Sequence, residues 1–250
     1  MAEPPAFKDH FSSVARDYAR FRPGYPSALF STLAGLAPAR ELAWDCATGN
    51  GQAAVHLAEH FDRVVATDLS QEQLERAIAA PRIEYRRAGA EQSGLDPGSV
   101  DLITVAQAVH WFDFDRFYAE ARRVLVPKGV IAVWTYHRAL ADPEIQAVTE
   151  RFRQRVEGDW PPERRWVEEQ YRTLPFPFAE IAIEPLVHRE AWDLERLLGY
   201  LSTWSAVTQY RRRTGRDAVA EVRPELEAAW GEPAQTRLLR WPIHLRVGRA

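Results

Sequence analysis

Short apolar runs recur through the first half of the chain, and charged stretches of helical periodicity separate them. The runs are ELAWDCA (41–47), RVVATDL (63–69), RIEYRRA (82–88), VDLITVAQAV (100–109) and GVIAVWTY (129–136). Each has the length and the aliphatic content of a buried strand. The stretches 52–61, 70–80 and 113–125 carry helical patterns, and Ser70 and Asp113 stand where N-caps belong. Strands alternating with helices predict a parallel sheet wound on both faces. Right-handed crossovers put every strand's C-terminal end on one edge, and ligands bind at that edge where the strand order reverses.

The flanks read differently. Residues 1–38 have a helical pattern whose apolar and aromatic members include Phe11, Tyr18, Phe21, Tyr25 and Leu29. Residues 139–176 and 192–231 are also helical, rich in Trp and Arg, and broken at Pro161-Pro162. EIAIEPLVHRE (180–190) and RLLRWPIHLRVG (237–248) alternate like antiparallel strands, with Pro185 and Pro242 predicting edges or bulges. The expected organisation is one domain: a helical cap over 1–38, a nucleotide-type core over 39–137, and a helical lid with the last two strands over 138–250.

Composition narrows the function classes. With 46% hydrophobic residues in 250, a packed core is expected and global disorder is not. A net charge of -3 gives no support to a nucleic-acid or anionic-membrane partner. Arginine supplies all of the basic residues except Lys8 and Lys128, a bias of overall composition rather than an arginine-rich binding motif. Cys46 is the single cysteine, so there is neither an intramolecular disulfide nor a cysteine-based zinc site. There is no apolar leader and no run of roughly 18 apolar residues. The expectation is a cytoplasmic protein, monomeric or homodimeric, with a small-molecule substrate, no resident metal and no membrane or nucleic-acid partner.

The chemistry concentrates in WDCATGNGQAA (44–54). From Gly49 it reads G-x-G-x-x-A, a dinucleotide fingerprint in which a pyrophosphate lies on a helix N-terminus. From Asp45 it reads as a carboxylate followed by small residues. That carboxylate would repel a pyrophosphate and attract an ammonium. Two charges about 4 Å apart interact by about 4 kcal/mol at an effective dielectric of about 20. The sign of Asp45 therefore separates the ligands better than the glycine spacing does, unless Asp45 only caps the following turn. Asp68 ends the second strand, where an acidic residue accepts hydrogen bonds from ribose hydroxyls. It could equally be a residue favoured by a helix dipole. A ribose is common to both ligands, so Asp68 supports an adenosine without choosing between them.

The motifs DCATGNG, ATDLS, AGAEQSG, AQAVHWFD and RVLVPKGVIAVWTY resemble, in order and spacing, those of the class I S-adenosylmethionine-dependent methyltransferases. The likeness covers about residues 40–137. AQAVHWFD, the early YARFRPGYP and the late TWSAVTQY are similar to the small-molecule branch of the methyltransferase type 11 kind that includes trans-aconitate methyltransferases. The resemblance implies an α/β, Rossmann-like, doubly wound and mostly parallel seven-stranded sheet with one antiparallel strand, plus N-terminal and C-terminal helical lid segments. It implies S-adenosyl-L-methionine as cofactor. Asp45, Ala47, Gly49 and Gly51 would surround its methionine part, and Asp68 and Leu69 would hold the ribose and flank the adenine. Ala90 and Glu91 would reach the adenine edge. Gln107 would lie near the methyl group, and Trp111 with Phe112 would wall the ligand. Two departures stand out. Ala47 replaces the usual first glycine, which requires either a negative φ or acceptance of the left-handed cost. PKG at 127–129 replaces the more frequent PGG, away from the ligand edge.

Methyl transfer needs alignment and exclusion of water, and needs a general base only for a protonated acceptor. His110 is the candidate base, with a packing histidine as the plainer reading, and His137 is a second candidate. If the acceptor is a carboxylic acid, a cationic clamp replaces the base. Arg22, on the segment that folds over the cofactor in the family, and Arg138, after the fifth strand, are the candidates. Tyr18, Tyr25, Trp204 and Tyr210 could line the acceptor pocket or simply pack helices. The run Arg211, Arg212, Arg213 and Arg216 reads as a solvated helix end. Three rivals remain. A base-modifying nucleic-acid methyltransferase would carry D/N-P-P-Y/F where this chain has QAVHWFD. An NAD-dependent oxidoreductase conflicts with Asp45. A non-catalytic protein that binds an adenosine ligand is the third.

Overall fold

The computed structural model describes residues 20–250, so Phe11 and Tyr18 lie outside the described residues. The strands are β1 (Leu42–Cys46), β2 (Arg63–Asp68), β3 (Ile83–Arg87), β4 (Val100–Ala106), β5 (Leu125–Tyr136), β6 (Ala179–Ile181), β7 (Leu186–Trp192) and β8 (Arg237–Arg249). The first five run parallel in the order β3-β2-β1-β4-β5. β8 pairs antiparallel with β5 from Val130↔Arg249 to Tyr136↔Ile243. Its other side carries β7 and β6 end to end, also antiparallel to it. The sheet is thus seven strands wide, made from eight segments, and β8 alone opposes the rest. This is the mostly parallel sheet with one antiparallel strand that the sequence led us to expect.

The differences are local and have physical causes. The run 180–190 is two strands because the chain leaves the ladder before Pro185, which has no N–H to give. Pro242 is tolerated inside β8 because it faces Val187 of β7 just beyond the point where β5 pairing starts, at Ile243. Leu125 opens β5 instead of ending the helix before it. Pairing jumps from Val100↔Leu125 to Leu102↔Val130, so PKG forms a bulge within β5, at the sheet end opposite the ligand edge. Lys128 sits there at φ 66, and a Cβ on Gly129 would lie 2.9 Å from the Val126 carbonyl oxygen.

Among the described residues the helices are α1 (Ser27–Leu36), α2 (Gln52–Leu57), α3 (Gln71–Glu75), α4 (Phe114–Val124), α5 (Pro143–Arg155), α6 (Arg165–Glu168), α7 (Leu194–Ser202), α8 (Ser205–Thr214) and α9 (Ala218–Trp230). Both expected caps form: Ser70 Oγ accepts from Gln73 N–H at 3.3 Å and Asp113 Oδ1 from Arg116 N–H at 3.2 Å. The sheet is buried on both faces, so its central strands read as continuous apolar runs. Ala43, Leu102, Ala132 and Trp134 pack with Leu29, Phe30 and Leu33 of α1. Trp44, Ile103, Val105 and Val133 pack with Phe117, Ala121 and Val124 of α4 on the other face. The late arginines end α8 in exposed ion pairs, Arg213 with Asp159 and Arg216 with Glu221. No helix among the described residues is long and apolar enough to cross a membrane.

One buried polar tie orders a loop at the ligand edge. Glu120 of α4 accepts from Ser93 N–H at 2.8 Å and Ser93 O–H at 2.6 Å, and pairs with Arg123 at 2.7 Å. The Arg123 hydrogen bond, with those from Ser93, overcomes the burial penalty and holds the Glu120 carboxyl at about 2. Because the folded value is depressed, this stabilisation is present above the ordinary carboxyl range and fades as pH falls towards 2. Glu120→Ala should cost about 1.5–3 kcal/mol at pH 7. The gap from the wild type should narrow below pH 4, as read by denaturant unfolding across pH.

Candidate functional site

β1 and β4 are neighbours at the reversal of strand order, and a cleft of about 1190 Å³ opens beyond their C-terminal ends. The chain leaves β1 through a loop in left-handed conformations. Ala47 has φ 54, Gly49 φ 58 and Gly51 φ 88. Ala47 therefore accepts the left-handed cost that a glycine would avoid. The loop is held at two points: Thr48 N–H donates to Thr67 O at 2.9 Å, and Gly49 N–H donates to Asp68 Oδ2 at 2.9 Å. A Cβ on Gly49 would meet open space, whereas one on Gly51 would lie 2.1 Å from the Tyr85 hydroxyl. Gly49 thus leaves the backbone open to a ligand, and Gly51 lets the loop close against β3.

Ala47, Gly49, Asp68, Leu69, Ala90, Glu91, Gln107 and Trp111 all stand on the cleft wall. Asp45 and Gly51 lie one layer beneath. Asp45 is buried, with Oδ1 accepting from Thr104 O–H at 2.8 Å and Oδ2 from the Thr48 hydroxyl. The Ala54 N–H, in the first turn of α2, also donates to it. Burial is the dominant influence and pushes its carboxyl up to about 6 against the pull of these hydrogen bonds. Asp45 thus does cap the turn, and a positive charge above the loop would favour its ionised form. Asp68 binds Gly49 N–H with one oxygen and Ser70 N–H, at 2.8 Å, with the other. It braces the loop as well as facing the cleft.

Gln107 follows β4 at φ 59, its N–H bonded to Trp134 O at 2.9 Å and its Oε1 accepting from the Thr135 hydroxyl at 2.8 Å. Its amide Nε2 is buried with no hydrogen-bond partner among the described residues. The next turn, Val109–Trp111, puts Trp111 on the cleft and turns His110 inward. His110 Nδ1 lies 2.7 Å from the Tyr171 hydroxyl, and burial followed by the charge of Arg164 lowers its pKa to about 3. Such an imidazole stays neutral and is a weak proton acceptor.

The arginine candidates are placed apart. Arg22 donates to Thr203 O at 3.2 Å and lies 5.4 Å from the Tyr200 ring centroid. Arg138 lies off the large cleft, beside a cavity of about 30 Å³, paired with Glu150 at 2.7 Å. His137 uses Nε2 for Glu168 at 2.6 Å and accepts from Arg138 Nε at 3.3 Å through Nδ1. Burial penalises Glu168, but His137 and Arg164 outweigh it and hold the carboxyl at about 2. Trp204 and Tyr210 are buried packing aromatics, Trp204 against Phe152 and Trp160. Tyr25 lines the cleft and packs edge-on against Trp134. Sequence reasoning missed Glu163 on the cleft wall and Arg164 beside it. With 32 basic residues, nearly all arginine, no single arginine announces itself.

Comparison with known proteins agrees with this geometry. The model of a methyltransferase domain family matches residues 44–133. A protein of Dictyostelium discoideum named a methyltransferase is 34% identical over 232 residues, which cover 91% of this chain and 88% of that protein. A solved structure from Anaeromyxobacter dehalogenans, named a type II methyltransferase, is 52% identical, with a TM-score of 0.86 over 92% of this chain and 98% of that one. Phosphoethanolamine N-methyltransferase 2 of Haemonchus contortus, solved in complex with S-adenosyl-L-methionine, shares the fold at 16% identity and a TM-score of 0.50, over 97% of this chain and 58% of that one.

The two acids should respond differently to substitution. Folded Asp45 binds its proton more tightly than the unfolded chain does, so its contribution to stability is greatest below the ordinary value of 3.8 and is lost as pH rises through about 6. Asp45→Asn removes that loss. Between pH 4 and pH 7 the stability difference should shift towards the variant by on the order of 3 kcal/mol, as followed by chemical denaturation. A difference that stays constant over that range contradicts the buried charge. Asp68→Ala should weaken S-adenosylhomocysteine binding by tenfold or more, about 1.5–3 kcal/mol, in a protein that still folds. Unchanged calorimetric affinity would remove Asp68 from the site.

Proposed function

The chain belongs to the class I S-adenosylmethionine-dependent methyltransferases, and we propose that its acceptor is a small-molecule carboxylic acid methylated in the cytoplasm without a general base. The cofactor brings an activated methyl group on a sulfonium. The chain's own residues bind, orient and exclude water. The loop fits that ligand rather than a dinucleotide: its nearest charged groups are the carboxylates of Asp45 and Asp68, which oppose a pyrophosphate and suit an ammonium and a ribose. Ala47, Gly49 and Gly51 would shape the methionine end above Asp45. Asp68 and Leu69 would hold the ribose, Ala90 and Glu91 the adenine edge, and Gln107 with Trp111 the region of the methyl group.

The observation that carries the acceptor reading is the state of His110. Its Nδ1 faces Tyr171, and its pKa of about 3 leaves it a weak base. A carboxylic acid is already ionised at pH 7 and requires no proton acceptor. A carboxylate oxygen forms the new bond to the methyl carbon, the carbon–sulfur electron pair returns to sulfur, and no proton is released. Orientation of that oxygen is then the task, and a guanidinium suits it. Arg22, at the Tyr200–Thr203 end of the lid, is the candidate clamp; Arg138 is engaged by Glu150 and takes no part in this reading. Glu163 on the cleft wall favours a second reading, a cationic amine acceptor.

Turnover with a panel of small acids, amines and alcohols tests the choice. Arg22→Ala should raise the acceptor KM or lower kcat by at least tenfold, about 1.4 kcal/mol, while S-adenosylhomocysteine affinity changes little. His110→Ala should be mild, with a flat pH profile between pH 6 and 9. A silent Arg22→Ala beside a His110→Ala that loses activity in a pH-dependent way would sink the carboxylate reading and point to a hydroxyl or amine acceptor.

A further inference from the structure

Next to Glu163 on the cleft wall, the turn Pro162–Arg164 carries an arginine whose surroundings are unusual for this chain. Many arginines here form exposed ion pairs, such as Arg213 with Asp159 and Arg223 with Glu195. Arg164 instead lies deep between the lid segments and the His110 turn, yet 21% of its side chain remains accessible. Its guanidinium carbon stands 4.2 Å from the centroid of the Trp160 ring, a stack that fixes the guanidinium plane. Only Nε is hydrogen-bonded, to Glu168 Oε1 at 3.2 Å. The terminal Nη1 and Nη2 fork has no hydrogen-bond partner among the described residues.

The local charge is unbalanced in the same direction. Burial is the largest influence against the Arg164 charge, and the positive Arg22 acts against it as well. The opposing carboxylate, Glu168, is shared: its other oxygen lies 2.6 Å from His137 Nε2. Two guanidiniums within electrostatic reach of each other, one already committed carboxylate, and an accessible fork with a fixed plane describe a site that lacks an oxyanion. Bidentate binding of a planar carboxylate is the chemistry for which such a fork is suited.

We propose that Arg164 is the specificity-determining residue of the acceptor site, binding the acceptor's carboxylate through its Nη1–Nη2 fork. This rests on the carboxylic-acid reading above and adds the residue that enforces it. Glu168 and Trp160 are positioning residues: they orient the guanidinium and do not touch the acceptor. Arg22 supplies the second positive charge of the clamp, and Arg164 supplies the fork.

The test uses the full chain saturated with S-adenosylhomocysteine. It is titrated with benzoate, succinate and cinnamate, each beside its neutral amide. Calorimetry gives affinity, and turnover with S-adenosylmethionine gives KM and kcat. The wild type should prefer at least one acid to its amide by thirtyfold or more. Arg164→Met should lose that preference, with KM for the acid up at least thirtyfold and the affinities for amide and S-adenosylhomocysteine unchanged. Arg164→Lys, which keeps the charge but not the fork, should restore only part of it. Arg213→Met, an exposed arginine at the end of α8, should change nothing. If the wild type uses acids and Arg164→Met retains the acid preference within threefold, the assignment of Arg164 is overturned while the acceptor reading stands. If no acid binds, or only amines or alcohols are methylated, the acceptor reading falls and the inference falls with it. Should Arg164→Met fail to fold, Arg164→Lys decides, and an unchanged acid affinity overturns the assignment.

Discussion

Asp45 takes a carboxylate into a place that water does not reach, and the C-terminal edge of the sheet is arranged around that cost. Its two oxygens draw on three pieces of the fold at once: Thr104 of β4, Thr48 of the loop and the N-terminal turn of α2. Removing any of those donors would leave a buried charge less satisfied, which is more costly than the bond is favourable. The consequence is cooperative. The Asp45 carboxylate ties together β4 beside β1, the loop that turns back over its own strand, and the start of α2. The residual burden appears as the carboxyl's position near 6. A positive charge placed above the loop would relieve that burden by favouring the ionised carboxylate.

The backbone stores a second burden close by. Ala47 and Gln107, non-glycine residues at φ 54 and 59, leave β1 and β4 on either side of the switch point. Each left-handed residue costs on the order of 1–2 kcal/mol. Both are over-determined by hydrogen bonds: Thr48 N–H to Thr67 O next to Ala47, and Gln107's own N–H to Trp134 O with Thr135 on its side chain. The conformations bend both chain exits away from the strand axes, which is what opens a cleft between them. Strain at this edge and regular packing below it are two sides of one arrangement, since the buried strands supply the rigidity that holds the exits in place.

How much of this could be read from residues alone follows the range of the physics involved. Five parallel strands and two N-caps were legible because apolar periodicity and capping are local. The continuous apolar runs at 100–109 and 129–136 even implied burial on both faces. The ends of those runs were less legible: Gln107 looks like one more strand residue until its φ is known, and Leu125 looks helical until it is found paired with Val100. The second half was coarser. Pro185 signalled an edge, but the arrangement of β6 and β7 along one side of β8 depends on pairings some 60 residues apart. At the site, eight of the ten expected cofactor residues reach the cleft wall, and Asp45 and Gly51 support it from below. Motif spacing records that a residue belongs to the loop, not which layer its side chain enters. Glu120, Tyr171 and Arg164 carried no signal because their roles come from partners far away in sequence: Ser93, His110 and the pair of His110 with Arg22.

The overall charge of -3 conceals a division that matters more than its sum. Carboxylates gather at the loop, with Asp45 beneath it, Asp68 beside it and Glu91 further along the wall, while Arg86, Arg87 and Arg116 stand elsewhere on that wall. Beyond the His110 turn Arg164 and Arg22 lie within electrostatic reach of each other, with Glu168 already engaged by His137 and Glu163 on the cleft wall. A donor that carries a sulfonium and an ammonium suits the carboxylates at the loop. Methyl transfer removes one of the donor's two positive charges, because the sulfonium becomes a neutral thioether. The ammonium and the ribose persist in the product, so carboxylates suited to them keep part of their hold once the sulfonium charge is gone.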